Sequence, residues 1–289
     1  MAIYTNKHGA PDVLFKLLGR EKYSKGDAKA SVTQLISSPR QVLLKKKYDH
    51  LIQVDISDRL YALFGSAVHD MIDRGCDEED HITEERLFTE VDGWKISGGI
   101  DVQRISDSGV KVLDWKVTSA SKIMYGSHED WEKQLNVYAY LVQKEKNVEV
   151  EGLEICAILR DWKKSDVGKN PKYPESPIVS ISVPLWTFKA QENYIRDRIA
   201  AHKEAIRAME WEEDLPHCTP EEMWEKPPSY AVMGPSQQRA VRVYENLEEA
   251  KEHASRRPEL SVEERPGRKI KCEEYCEVSR WCSQFNKGS

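Results

Sequence analysis

Two aspartates, a lysine and a histidine carry the chemistry that this sequence can offer. Asp101 stands in the run GGIDV and Asp114 in VLDWK, with Lys116 two positions further on. The two runs are apolar and flank a turn, so they predict adjacent antiparallel strands whose carboxylates can point to one side of a sheet. Carboxylates that converge in a partly buried place repel each other unless a proton or a cation joins them. Oxygen donors of this kind suit Mg2+ or Mn2+. Lys116 lies on the same strand face as Asp114, where an ammonium can position a metal-bound water or stabilise charge developing on a phosphate. His69, from a preceding helix, adds a nitrogen donor and shifts the preference toward Mn2+. Singly, each is ordinary: Asp-x-Lys on a strand is commonly a surface ion pair, and a lone helical histidine is commonly a satisfied core or surface group.

The elements that must position these groups are legible from periodicity and turn residues. DRLYALFGSAVHDMIDRG (58–75) has a 3.6-residue apolar period and puts Gly65 and His69 on one face. Residues 84–118 read as three strands, separated by Asp92-Gly93 and by the turn Asp107 to Gly109. EDWEKQLNVYAYLVQKEK (129–146) is a strong helix on which Gln134 and Tyr138 share a face. EGLEICAILRDW and PIVSISVPLW follow as strands, and 187–210 as a long amphipathic helix. Upstream, SVTQLISSPRQVLLKKKY (31–48) predicts a helix capped by Ser31, a break at Pro39 and a second helix ending in Lys45, Lys46 and Lys47. PHCTPEEMWEKPPS reads as a Pro-rich linker, followed by a hairpin, a helix preceded by Asn246 as its cap, and a further strand.

Four short motifs occur in order: Gly65-x-x-x-His69, Gly99-x-Asp101, Asp114-x-Lys116 and Gln134-x-x-x-Tyr138. Together they resemble the PD-(D/E)xK nuclease superfamily, in its RecB/Cas4-like, phage-type exonuclease branch. The similarity runs over about residues 31–210. It implies an α/β, restriction-endonuclease-like core in residues 1–215, a central mixed β-sheet flanked by helices. Residues 216–289 would add a linker, a small α+β unit and a cysteine tail. By the resemblance, His69, Asp101, Asp114 and the Val117 carbonyl bind the metal and Lys116 orients the attacking water. Gln134 and Tyr138 line the site. The implied reaction is metal-dependent phosphodiester hydrolysis by an exonuclease of phage or bacterial DNA recombination, replication or repair. Single- or double-stranded DNA ends are the expected substrate. A recombinase, single-strand-binding protein or helicase is the expected kind of partner, and oligomers occur among such enzymes. The rival expectation is a non-catalytic nucleic-acid-binding or assembly subunit of the same fold, and RNA is a further substrate to test. Glu84, Glu85 and Glu90 are weaker candidates for an additional acid, with an exposed strand face the simpler reading. Arg40 and Lys45 to Lys47 are candidate phosphate contacts.

Six cysteines are present, and three cluster as Cys272-x3-Cys276-x5-Cys282. Related nucleases hold a 4Fe–4S cluster with one upstream and three C-terminal cysteines, commonly spaced x2 then x5. Here the first gap is x3, and Ser38 stands where the upstream cysteine is expected, before PRQ. A fourth thiolate would have to be Cys218, and thiolates suit an Fe–S cluster or Zn2+ equally. Cys76 and Cys156 read as ordinary small residues. The 289 residues carry 32% charged and 39% hydrophobic side chains and a net charge of −6, a composition that excludes a generic polyanion binder and a disordered chain. Charge is uneven, with ten Lys/Arg against four Asp/Glu in residues 1–50, compatible with a basic face on an acidic body. No apolar run is long enough to span a bilayer and no signal-peptide core opens the chain. The expectation is a cytoplasmic protein, of a bacterium or a phage-infected host.

Overall fold

A computed structural model describes residues 2–18, 25–75 and 79–286; Cys76 lies outside them. In chain order the first half gives β1 (Ile3–Thr5), α1 (Asp12–Leu18), β2 (Ala30–Ser31), α2 (Val32–Ile36), α3 (Pro39–Tyr48), β3 (Gln53–Asp55), α4 (Leu60–Asp73), β4 (His81–Val91), β5 (Trp94–Ser106) and β6 (Gly109–Thr118). Then come α5 (Ala120–Tyr125), α6 (Glu129–Lys146), β7 (Val150–Leu159), β8 (Ile178–Val183) and α7 (Phe188–Glu210). The C-terminal part holds β9 (Glu225–Lys226), β10 (Ser229–Met233), β11 (Arg242–Tyr244), α8 (Leu247–Ser255), β12 (Ser261–Arg265), β13 (Arg268–Lys269) and α9 (Ser283–Asn286).

The main sheet is mixed. β5 pairs antiparallel with β4 along its length, then antiparallel with β6; β6 pairs parallel with β7, and β7 antiparallel with β8. The parallel step requires a crossover, which α5 and α6 supply. The β4–β5 turn uses Asp92 and Gly93, both with positive φ, as a tight hairpin demands. With β4 on one edge, β5 offers its other edge first to β2, at Ile96 and Ser97, and then to β6 from Val102 onward. Residues 98–101 have no strand partner on that edge among the described residues. The interruption falls at the Gly-Gly-Ile-Asp run that carries Asp101.

One face of the sheet is covered by α6, whose Leu135, Tyr138 and Val142 join Ile96, Ile100, Val112 and Ile155 in the main core. α6 begins and ends where its charges dictate: three acids in the first turn, Lys144 and Lys146 in the last, and Asn147 in the left-handed region as the C-terminal stop. α2 is closed by a reciprocal capping box, Ser31 Oγ accepting from the Gln34 amide and Gln34 Oε1 from the Ser31 amide. Pro39 is the first residue of α3, so the expected break is the two-residue corner Ser37–Ser38.

A second core joins α3 to α7 and the tail: Leu43, Leu44, Ala205, Ala208 and Leu215 pack with Val278 and Cys282, and Tyr48 stacks on Trp281 at 4.7 Å. The expected division at 215/216 therefore runs through a shared core. The segment read as a linker is built in as well: Met223 is buried, β9 pairs with β13, and the Cys218 amide donates to Gln284 Oε1. Burial of apolar surface against two helices outweighs the loop-forming tendency of its prolines. The hairpin, capped helix and return strand expected after it are all present as β10, β11, α8 and β12, with Asn246 accepting from the Glu248 amide.

Candidate active site

The interruption in β5 creates the site. Asp101 and Asp114 would face each other in the β5–β6 register, but the pairing stops one step earlier, at Val102 and Leu113. Asp101 Oδ2 instead accepts the Trp115 amide at 2.9 Å, replacing the missing ladder bond. The flanking glycine has a steric cause: a Cβ on Gly98 would lie 3.0 Å from two ring carbons of Tyr138. Tyr138, brought by α6, closes over that gap and accepts a hydrogen bond from Gln134 Nε2 at 2.9 Å.

His69, on α4, reaches the same place. Its Nδ1 is 3.6 Å from Asp101 Oδ1 and 3.1 Å from Glu84 Oε1. His69, Glu84 and Asp101 present ligand atoms all within 4.8 Å of one another, a spacing that one small cation can bridge. Glu84 sits at a break in the strand pairing. Its φ is +48°, and β4 pairs with β5 on either side of it, at Thr83–Val102 and Glu85–Ile100, but not at Glu84 itself. The register is the same on both sides of the break, so Glu84 stands opposite Asp101 and its carboxylate meets His69. Glu84 is exposed on its strand, as the simpler expectation has it, yet its carboxylate reaches His69. Glu85 is engaged elsewhere, paired with Lys146 at 2.6 Å and accepting from Gln103, and Glu90 is solvent-exposed.

Asp114 is 1% exposed and Lys116 Nζ stands 2.6 Å from its Oδ2. The ammonium is within ion-pair reach but off hydrogen-bonding geometry, for Oδ2 has no directed hydrogen bond among the described residues. Burial, reinforced by the Asp114 charge, pushes the Asp101 carboxyl up to about 7, against the opposing pull of His69, the Trp115 amide and Lys116. An excess of desolvated negative charge is therefore built into this spot. Val117 follows Lys116 on β6 in register with Ile158.

The candidate phosphate contacts divide. Arg40 is 2% exposed and turned inward, donating to Cys282 Sγ (3.2 Å), Asp214 Oδ1 (2.9 Å), Leu215 O and Ser283 Oγ. It offers nothing to a surface phosphate, which corrects that expectation. Lys45 pairs with Glu277, whereas Lys46 and Lys47 are exposed on the last turn of α3.

The four cysteines singled out converge. Cys218, Cys272, Cys276 and Cys282 line one cavity of about 20 Å3 between α3 and the tail. Cys218 Sγ lies 3.1 Å from Ser38 Oγ, the position where an upstream cysteine was expected. Cys156 is buried in β7, remote from this group in the fold.

The PD-(D/E)XK nuclease superfamily model matches residues 76–283. The chain belongs to this superfamily. The matched region contains Asp101, Asp114, Lys116, Gln134, Tyr138 and the four converging cysteines, and leaves α4 with His69 outside. Among solved structures the chain is similar to SSO0001 (20% identity, TM-score 0.43, covering 65% of this chain and 82% of that one). It is also similar to a phage related exonuclease from Haemophilus somnus 129PT (14%, TM-score 0.31, 70% and 80%) and a putative exonuclease from Eubacterium rectale (15%, TM-score 0.29, 68% and 71%). No curated protein matches the chain. No helix among the described residues is long and apolar enough to cross a membrane.

Proposed function

We propose that this nuclease-superfamily chain is a metal-dependent DNA exonuclease that hydrolyses phosphodiester bonds at DNA ends. The observation that carries the reading is the convergence of His69, Glu84 and Asp101 beside the buried Asp114–Lys116 pair. The donor set fits Mg2+ or Mn2+: hard oxygens, one imidazole and a carboxylate whose proton affinity is raised by burial and by the Asp114 charge. His69, Glu84, Asp101 and Asp114 would hold the metal. When bound, it supplies charge for the scissile phosphate and acidifies a water.

The chain's own residues do the rest. Lys116 holds the nucleophilic water against Asp114 and offsets charge developing on the phosphate. Gln134 orients the Tyr138 hydroxyl toward the opening in β5, where it can contact the phosphate backbone. The test is degradation of end-labelled linear DNA, single- and double-stranded, against closed circular DNA, with Mg2+ or Mn2+. Wild type should shorten at least one of the linear substrates, and Asp114→Asn and Lys116→Ala neither. Equal activity in all three proteins, or cleavage of circles at the same rate as linear DNA, would reject the site or the end preference.

We also propose that the thiol cavity seats a 4Fe–4S cluster. The fit rests on four sulfurs facing one cavity with a buried guanidinium donating to one of them. Zn2+ is the alternative occupant, since thiolates suit either. Anaerobically purified protein should absorb near roughly 400 nm and contain iron; zinc in its place would reject the cluster.

A further inference from the structure

The helix that carries His69 is unusually bare. None of the fourteen residues of α4 is buried, although many are apolar. Tyr61 and Phe64 are 56% and 42% exposed, and their rings meet edge to face at 6.3 Å. The Arg160 guanidinium lies 4.2 Å above the Tyr61 ring, and Arg160 has no carboxylate partner among the described residues. Tyr61, Gly65 and His69 are spaced by four, so they form one line along the helix. Gly65 sits between ring and histidine, and a Cβ there would meet nothing within 4 Å. The line from Tyr61 to His69 is therefore an open lane leading to the metal-ligand cluster.

Arg160 is fixed at the same end of the sheet. Its amide donates to Thr118 O, two residues past Lys116, where the parallel strands β6 and β7 end. Ligands of parallel strands gather beyond such carboxyl ends. The chain leaving β7 there adds Lys163, Lys164 and Lys172, and Lys172 stands 5.6 Å over the exposed ring of Tyr125. Exposed rings interleaved with unpaired cations are what an unpaired strand requires: π-faces for bases and positive charge for the backbone. A duplex end keeps its bases stacked on each other and has no use for the rings.

We propose that Tyr61, Phe64 and Arg160 form a stacking platform that receives the unpaired bases of the strand being cut, so that single-stranded DNA ends are the substrate class. This rests on the nuclease reading for its destination, but not for its test. Binding is measured in EDTA, where no hydrolysis occurs, by fluorescence anisotropy of a labelled 20-mer oligothymidylate and of a blunt duplex of the same length. Incorporated 2-aminopurine reports stacking. The double variant Tyr61→Ala/Phe64→Ala should weaken oligothymidylate binding roughly tenfold or more and abolish 2-aminopurine quenching, leaving duplex binding within about twofold. The conservative pair Tyr61→Phe/Phe64→Tyr should bind as wild type does. Arg160→Ala should reduce both quenching and the salt dependence of binding. Circular dichroism melting confirms that the variants fold, as substitution of exposed rings allows. Unchanged oligothymidylate affinity in the double variant, or equal losses for both DNAs, overturns the platform. So does a shift from dimer to monomer with DNA affinity intact, which would make the face a contact between copies. A wild type that shows the expected quenching but never cleaves DNA in Mn2+ would sink the nuclease reading and leave the platform standing.

Discussion

Removing the charge of Asp101 should stabilise the metal-free protein at alkaline pH. The Asp101 carboxyl is raised from 3.8 to about 7 by burial and by Asp114. Its folded-state value thus lies above its unfolded one, and the folded state holds the proton more tightly. The sign follows: this group favours folding most below about pH 4, and stability falls as pH rises through 4 to 7, then levels off. A carboxyl moved this far costs the ionised folded state about 4 kcal/mol, of which about 3 kcal/mol is lost between pH 5 and pH 8. Asn cannot ionise, so Asp101→Asn lacks that loss. The assay is urea unfolding of wild type and variant at pH 5, 6, 7 and 8 in EDTA; contributions from the thiol cavity are common to both proteins and cancel in the difference. Relative to the variant, wild type should lose about 3 kcal/mol across the series. Saturating Mn2+ at pH 8 should restore about 2–3 kcal/mol to wild type at a hundredfold excess over Kd and much less to Asp101→Asn. Parallel pH curves for the two proteins would refute the account of a desolvated, cation-seeking carboxylate.

Lys116→Ala leaves Asp114 buried without its counter-charge and should cost about 1–3 kcal/mol in EDTA by denaturant unfolding, in addition to abolishing cleavage; unchanged stability would mean the ion pair contributes nothing. Gly98→Ala forces a methyl to 3.0 Å from the Tyr138 ring and 3.1 Å from Leu141, costing about 1–3 kcal/mol and displacing the Tyr138 hydroxyl, measurable as a fall in kcat. Ser38→Cys combined with Cys218→Ser moves a thiol across the 3.1 Å that separates the two side chains and should retain the absorbance near roughly 400 nm, while Cys218→Ser alone should lose it; loss in both would show that Ser38 does not face the cluster.

The main sheet was legible because it is built from strong periodic signals. The two turns at Asp92-Gly93 and at Asp107 to Gly109 fixed the β4–β5–β6 meander, and the 3.6-residue pattern of 129–146 coincides with α6 to the residue. The pairing of Asp114 with Lys116 follows from strand alternation alone. Glu84 is harder, since an exposed strand glutamate reads as surface charge, and only its place opposite Asp101 in the β4–β5 register brings its carboxylate to His69. Arg40 misled for the opposite reason: an arginine near three lysines reads as surface charge, and only the tail, more than 170 residues distant in sequence, turns it into a buried donor. The Pro-rich segment 216–229 carried the same difficulty, because its buried residues, Met223 and the half-buried Cys218, are too few to make a period.

The thiol cavity and the acidic cluster are separate in space yet joined through one corner of the fold. Ser38, at the cavity, ends the turn between α2 and α3. The carbonyls at the end of α2 are claimed by α7: Arg198 donates to Leu35 O and Ser37 O, and His202 meets Leu35 O at 3.1 Å. α2 in turn packs on α6, which carries Gln134 and Tyr138. The residues lining the cavity do not include those of the acidic cluster. What a group bound in the cavity can do is fasten. A cluster bridging Cys218 with Cys272, Cys276 and Cys282 would close loops of about fifty residues and more, where chain entropy otherwise works against the docked tail. With such a cluster bound, labour would divide: the break in β5 would set the chemistry, and the cysteines would hold in place the helices that keep Tyr138 over that break.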